Sequence, residues 1–294
     1  MLSDEELAEY LDSKITSLLQ VHGIYDIGNY GWISEDTMDP ESLGHAMWQT
    51  SPPLETDWEF LLGNGPPKHR PTKIEELLIV AGHDFEGLMK ASRLSIGLTL
   101  FYQSVAEKHP LSENQYFWLH NADAIFHLNM ASDRAREYFV LSFFNESVKV
   151  FNNRGGKHSW YVYPFTKLVG YYESMPVGDL VKSAIAPLPN IANRIFKYRE
   201  RRNFIVHDIA TKLGETNNNF IRKQQQAYDT AESPKTQILP TFEEVKRLRH
   251  EVECNHREEL DKASTLIKDW YVLLVMLSNK IFEAEYWLRK IYRF

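Results

Sequence analysis

With 294 residues, 43% of them hydrophobic and 13% aromatic, the chain can bury one large core or two modest ones, which excludes a disordered polypeptide. A formal net charge of −7 excludes a surface that coats nucleic acid broadly, so any nucleic-acid contact has to be local. The one cysteine, Cys254, excludes an intrachain disulfide and fits a reducing compartment.

No apolar run approaches the roughly 20 residues that span a bilayer. The longest, WYVLLVML, runs straight into Ser278, Asn279 and Lys280. The N-terminal MLSDEELAEY is acidic and cannot serve as the basic region of a signal peptide. These features predict a soluble, cytoplasmic protein without membrane contact.

Capping boxes mark the helix starts, because a Ser or Thr side chain and an acid or amide three residues on satisfy free backbone N–H groups. Ser3 with Glu6 opens a helix to about Gln20. Residues 23 to 71 turn irregular, with Pro40, the pairs Pro52-Pro53 and Pro66-Pro67, and Trp32, Trp48 and Trp58. So aromatic a stretch is expected to wrap over the helices and pack by its tryptophans. Thr72 with Glu75 opens a second helix to about Lys108, with Leu77, Leu78, Phe85, Leu88 and Leu98 among its apolar residues, and Pro110 closes it.

Ser112 with Gln115 opens a third helix, expected to run on until Asn152 to Gly156 stops it. The segment HSWYVYP reads as a short strand or an extended connector, and FTKLVGYYESM and VGDLVKSAIA as short helical pieces. Pro187 and Pro189 lead into a helix over 187 to 213, with Asn190 as its cap. A polar stretch follows over 214 to 240, in which Arg222-Lys223 and its glutamines are a polar loop, with lid or docking roles open to it. Thr241 with Glu244 opens a last helix running close to the C-terminus, with Cys254-Asn255 as a point of interruption.

No internal repeat and no alternation of strand and helix is present. The fold class is therefore all-α, an up-and-down bundle of four to five main helices. Residues 1–111 form an N-terminal helical and irregular extension packed on the bundle, and residues 112–294 the main helical domain with a polar insertion at about 214–240.

The chemistry concentrates in the helix over 187 to 213. Arg194, Lys197, Arg199, Arg201 and Arg202 stand against one acid, Glu200, in a chain that is acidic as a whole. At 3.6 residues per turn, Ile191, Ile195, Tyr198, Ile205, Ile209 and Leu213 fall within roughly 40° of one line, an apolar stripe suited to a core. Arg202 falls on the same line, where a guanidinium is costly unless it is paired or opens onto a wet cleft. Asn203 and His207, at i and i+4, share another face. Arg202 can join them by wrapping its side chain round, through a local helix irregularity, or from a second copy across a symmetric interface. A run of charge on a helix is ordinarily a solvated face, which accounts for the bases but not for Arg202 on the apolar line.

Residues 202–207, RNFIVH, resemble the signature of the HEPN superfamily (higher eukaryotes and prokaryotes nucleotide-binding): an Arg, commonly followed by Asn, then a His after four to six positions. His207-Asp208 followed by Ile209 is also similar to that family, and the resemblance extends over about residues 112 to 294. It implies a metal-independent endoribonuclease without cofactor, in which two protomers bring their motifs together in a homodimer. His207 would move the proton of a ribose 2′-hydroxyl, Arg202 would stabilise phosphate charge with Asn203 in support, and Arg194, Lys197, Arg199 and Arg201 would hold RNA. Products with 2′,3′-cyclic phosphate and 5′-hydroxyl ends are expected, in a toxin-like or phage-defence role restrained by an antitoxin or regulatory protein. The alternative is a catalytically silent module of the same type that binds a nucleotide, nucleic acid or protein partner. A second pair, Arg249 and His256, has six intervening residues but lacks the Asn.

Other polar groups have plainer readings. His83-Asp84 is similar to the metal-binding doublet of HD phosphohydrolases, but its neighbourhood reads as ordinary helix surface. His120 and His127 share a face and read as core-edge histidines. Asp133, Arg134, Arg136 and Glu137 read as a solvated face with helical ion pairs, from which one residue can support the motif. Arg154, Lys157 and His158 read as a solvated turn with room for an RNA contact.

Overall fold

The computed structural model describes residues 4–25, 73–108, 114–144, 161–173, 178–200 and 242–292. Among these residues the protein is all-α, with no strand. The elements are α1 (Asp4–Val21), α2 (Lys73–Lys108), α3 (Asn114–Phe144), α4 (Tyr163–Glu173), α5 (Asp179–Ile185), α6 (188–200) and α7 (Phe242–Tyr292). Four helices begin within two residues of the expected capping positions Ser3, Thr72, Ser112 and Thr241, which themselves lie outside the described residues, as does the tryptophan-rich stretch. No helix among the described residues is long and apolar enough to cross a membrane.

Three expectations are corrected. α7 runs for 51 residues straight through Cys254 and Asn255. One Asn costs a helix interior only about 0.7 kcal/mol, and downstream burial of Leu260, Ser264 and Ile267 outweighs that. Asn190 is not a cap, because the helix already starts at 188 and the Ile191 N–H donates to the Pro187 carbonyl at 3.1 Å. Pro189 is accommodated in the first turn, where its missing N–H has no intrahelical partner to lose. Of the segment before α4, residues 158–160 lie outside the described residues, and the described part is not a strand: Tyr161 and Val162 form a turn, and the Val162 carbonyl accepts from Phe165 and Thr166. Pro164 again fits a first helical turn.

The described residues fall into two units, and α2, α3 and α7 each contribute to both. The first comprises α1 to Ile24 with residues 92–108, 114–126 and 242–269. α1 ends on Gly23, whose φ of 68° costs a glycine nothing. Gly23 donates to the Gln20 carbonyl and Ile24 to the Leu19 carbonyl, the paired bonds that close a helix with a left-handed residue. The closure folds Ile24 inward, so that Ile24 and Leu19 are both buried. α1 then crosses α2 at Gly97, where a Cβ would overlap Ile15 Cγ2 and come to 3.2 Å from Leu19. Tyr102 on α2 stacks on both Tyr116 and His120 of α3, with ring centroids 5.2 and 5.4 Å apart. Gln103 donates to Asp261 at 2.5 Å, and the buried Asn121 amide to the Ala263 carbonyl at 3.3 Å, tying α2 and α3 to α7.

The second unit comprises Tyr25 and residues 73–91, 127–144, 161–173, 178–200 and 270–292. Here α3 and α7 run side by side in the same direction, since Ser132 meets Trp270 and, further along both helices, Tyr138 meets Phe282 and Glu285. Phe139 packs on Phe165 of α4 at 4.3 Å, and α4 packs on α5. Leu188, Ala192 and Ile195 of α6 are fully buried.

Candidate functional site

The basic helix enters the second unit with one face already committed. Around an ideal helix, Ile191, Ile195, Leu188 and Ala192 span roughly 100°, and Arg199 falls between Leu188 and Ala192. All four apolar residues are buried, Ile191 with 6% exposure and the others with none. The expected stripe through Ile191 and Ile195 is therefore present, and Tyr198 joins it half-buried, its ring stacked on the Trp270 indole with centroids 5.9 Å apart and planes at 17°. Arg194 and Lys197 point outward and are exposed, as is Glu200.

Arg199 points inward. Its side chain is 9% exposed, and its two terminal nitrogens donate to the two oxygens of Asp133 on α3, at 2.8 and 3.0 Å. The guanidinium carbon also lies 5.0 Å from the Tyr161 ring centroid, an attraction of cation and ring face. Of the four cations expected to hold RNA, Arg199 is thus engaged by a carboxylate, Arg194 and Lys197 face solvent, and Arg201 lies outside the described residues. Arg202, Asn203 and His207 also lie outside them, together with Arg154, Lys157, His158 and the 214–240 stretch.

The pair is mounted on a hydrogen-bonded scaffold. The Tyr161 hydroxyl donates to the Ser132 carbonyl at 3.1 Å, and the Ser132 hydroxyl donates to the Leu128 carbonyl at 2.7 Å. That hydroxyl also accepts the Trp270 indole N–H at 3.1 Å. Tyr161 is fully buried, and burial pushes its hydroxyl well above the ordinary range, with the Arg199 and Arg136 cations working against that rise. It is therefore a neutral donor at all physiological pH.

Arg136 is the departure from the expected solvated face, being 2% exposed. It lies one helical turn beyond Ser132 on the face that α3 buries, which carries Leu128, Phe139 and Val140 as well. Burial lowers its guanidinium from 12.5 to about 10; the carboxylates of Asp133 and Glu137 favour the cation and Arg199 opposes it. Arg136 therefore stays charged at neutral pH, and Asp133 counters two cations. Arg134 and Glu137 do form the expected helical ion pair, and Arg134 also reaches Asp84 of α2 at 3.1 Å.

Asp84 is thus an ion-pair partner beside an exposed His83, while Phe85 next to it is buried. His120, half-buried, stacks on Tyr102 and lies 3.7 Å from Asp123, which fits a core-edge histidine. No group of three His, Cys, Asp or Glu side chains among the described residues is placed to hold a metal ion. Tyr161, Ser132 and Trp270 carried no motif signal; the one clue in this region is that Arg199 falls on the Leu188–Ala192–Ile195 face. Compared with known protein families, curated proteins and solved structures, the chain matches none.

Proposed function

We propose that the chain is a metal-independent endoribonuclease of HEPN type that cleaves RNA by attack of the ribose 2′-hydroxyl. The carrying observation is the sequence Arg202-Asn203-x3-His207, which begins two residues beyond the last described residue of α6, whose inner face is buried and whose outer face exposes Arg194 and Lys197. An imidazole that titrates near neutrality takes the 2′-hydroxyl proton and returns one to the leaving 5′-oxygen. The planar fork of Arg202 matches two phosphate oxygens and stabilises the charge that develops on them. Asn203 orients His207 or binds the phosphate, while Arg194, Lys197 and Arg201 contact the RNA backbone. The site is composite, made by two copies of the chain, and its cellular use is toxin-like or defensive RNA cleavage in the cytoplasm under an antitoxin or regulatory protein.

The engagement of Arg199 by Asp133 removes one cation from the expected RNA surface and favours a second reading, a silent binding module of the same type. One experiment separates the two: RNA cleavage in EDTA by the wild type, Arg202→Ala and His207→Ala, with analysis of the product ends. Cyclic phosphate and 5′-hydroxyl ends, lost in both folded variants, uphold the nuclease. RNA binding without cleavage by the wild type upholds the silent module, and cleavage that requires Mg²⁺ overturns the metal-free mechanism.

A further inference from the structure

In the first unit α2 and α3 share a side that α7 does not cover. Gln103 and Asn121 bind Asp261 and Ala263, two residues apart on α7, so α7 lies against one side of this helix pair. On α2, Leu94, Leu98, Phe101 and Val105 follow the spacing i, i+4, i+7, i+11, which places them within roughly 40° of directly opposite Gln103. On α3, Tyr116, Leu119, Asp123 and Phe126 follow i, i+3, i+7, i+10 and stand in the same way opposite Asn121. Both rows therefore face away from α7. Leu94, Tyr116, Leu119 and Phe126 are 53%, 42%, 50% and 60% exposed, and Leu98, Phe101 and Val105 are half-buried between them and the interior.

The chemistry of this face narrows what can dock on it. In a chain whose residues are 25% charged, Asp123 is its one charged side chain, and helix geometry places no Lys or Arg of the first unit on it. Phosphates of a nucleic acid and headgroups of an anionic membrane both need cations, so neither fits. At these exposures the four outermost side chains offer on the order of 400 Å² of mostly apolar surface. A stable protein interface takes about 800 Å² from each partner, somewhat more than half of it apolar, so this face is sized for one such contact.

We propose that this face is where a second copy of the chain docks, about a two-fold axis that lays the two helices of one copy on the two helices of the other. Each copy then covers the apolar surface of its partner with the same surface, in a four-helix packing. Asp123 is the residue that opposes the contact, because each copy brings one carboxylate into it. The inference does not depend on the nuclease reading.

Sedimentation of the full chain tests the proposal. The wild type is expected to pass from one chain of 34.4 kDa to twice that mass as its concentration rises through the micromolar range. Leu94→Glu and Leu119→Glu are each expected to raise the dissociation constant about a hundredfold or more, and Leu119→Ala about tenfold, which keeps the test open if a Glu variant misfolds. Leu180→Glu, at an equally exposed leucine on α5 in the second unit, is expected to stay within about threefold of wild type. Asp123→Asn is expected to tighten association about threefold or more. A wild type that keeps the mass of one chain throughout overturns the second copy as the occupant. A dimer that survives both Glu substitutions in folded protein, or that Leu180→Glu breaks as readily, overturns the choice of face.

Discussion

In the first unit α1 meets α2 through shape: Ile15 and Leu19 lie over Gly97, where the absence of a side chain lets the helices approach. In the second, α6 meets α3 through a fork of two charged hydrogen bonds, under a buried tyrosine and beside a second buried guanidinium. A contact of the first kind is insensitive to charge and intolerant of added volume. One of the second kind is directional, and taking away one partner strands a charged group that has lost its water. The two kinds of contact therefore answer to different substitutions, added volume in the first unit and lost charge or geometry in the second.

The largest expected effect lies in the second unit. Trp270 is fully buried, donates to Ser132 and carries the Tyr198 ring, so Trp270→Ala is expected to cost about 3–5 kcal/mol of unfolding free energy. Trp270→Phe keeps the ring contact and loses the N–H, and is expected to cost about 1 kcal/mol for the hydrogen bond beyond its loss of volume. Denaturant unfolding of both variants checks this. Equal losses would mean that the hydrogen-bonded scaffold around Ser132 contributes as much as the whole indole.

Two glycines on α2 sharpen the comparison. Gly97→Ala is expected to destabilise by about 1–3 kcal/mol, because the added methyl overlaps Ile15 Cγ2, a branch at the stiff end of its side chain. The same change at Gly87, where a Cβ meets nothing within 4 Å, is expected to stabilise by about 1 kcal/mol through helix propensity alone. In an Ile15→Ala background the Gly97→Ala penalty is expected to vanish, a non-additivity that a double-mutant cycle measures directly. Additive behaviour would mean that α1 does not bear on Gly97.

The smallest effect is a dependence on pH in the first unit. Burial lowers the pKa of His120 below its ordinary 6.5, and the nearby Asp123 opposes part of that shift. The unfolded chain therefore takes up its proton at a higher pH than the folded one does, and stability is lost as pH falls through 6.5. His120→Gln is expected to flatten this part of the stability profile in melts between about pH 7 and 5. A wild-type profile that rises toward acid relative to the variant would contradict the sign. Asp123→Asn is expected to steepen the loss by removing the opposing charge.

Much of the helical framework was legible in the sequence because it follows from local rules. Backbone donors at a helix start need partners within three residues, so Ser3, Thr72, Ser112 and Thr241 announced starts at Asp4, Lys73, Asn114 and Phe242. The burial of Ile191 and Ile195 followed from a period of 3.6, and the motif Arg202-Asn203-x3-His207 is a property of the chain itself. Local rules misled where the local preference is weak, as at Cys254-Asn255, which a long, well-anchored helix overrides at small cost. What only the tertiary structure decided is where the charges go. Asp133 and Arg199 are 66 residues apart in sequence, and Trp270 reaches Ser132 across 138, separations that no periodicity encodes. Arg136 reads as one more charge on a polar helix face until α3 is packed, and its burial then forces Asp133 to answer two guanidiniums. The sequence determined where four of the described helices start and which apolar residues of α6 turn inward. Packing decided which cation faces solvent and which one is locked inside, because desolvation and pairing exist only once distant segments meet.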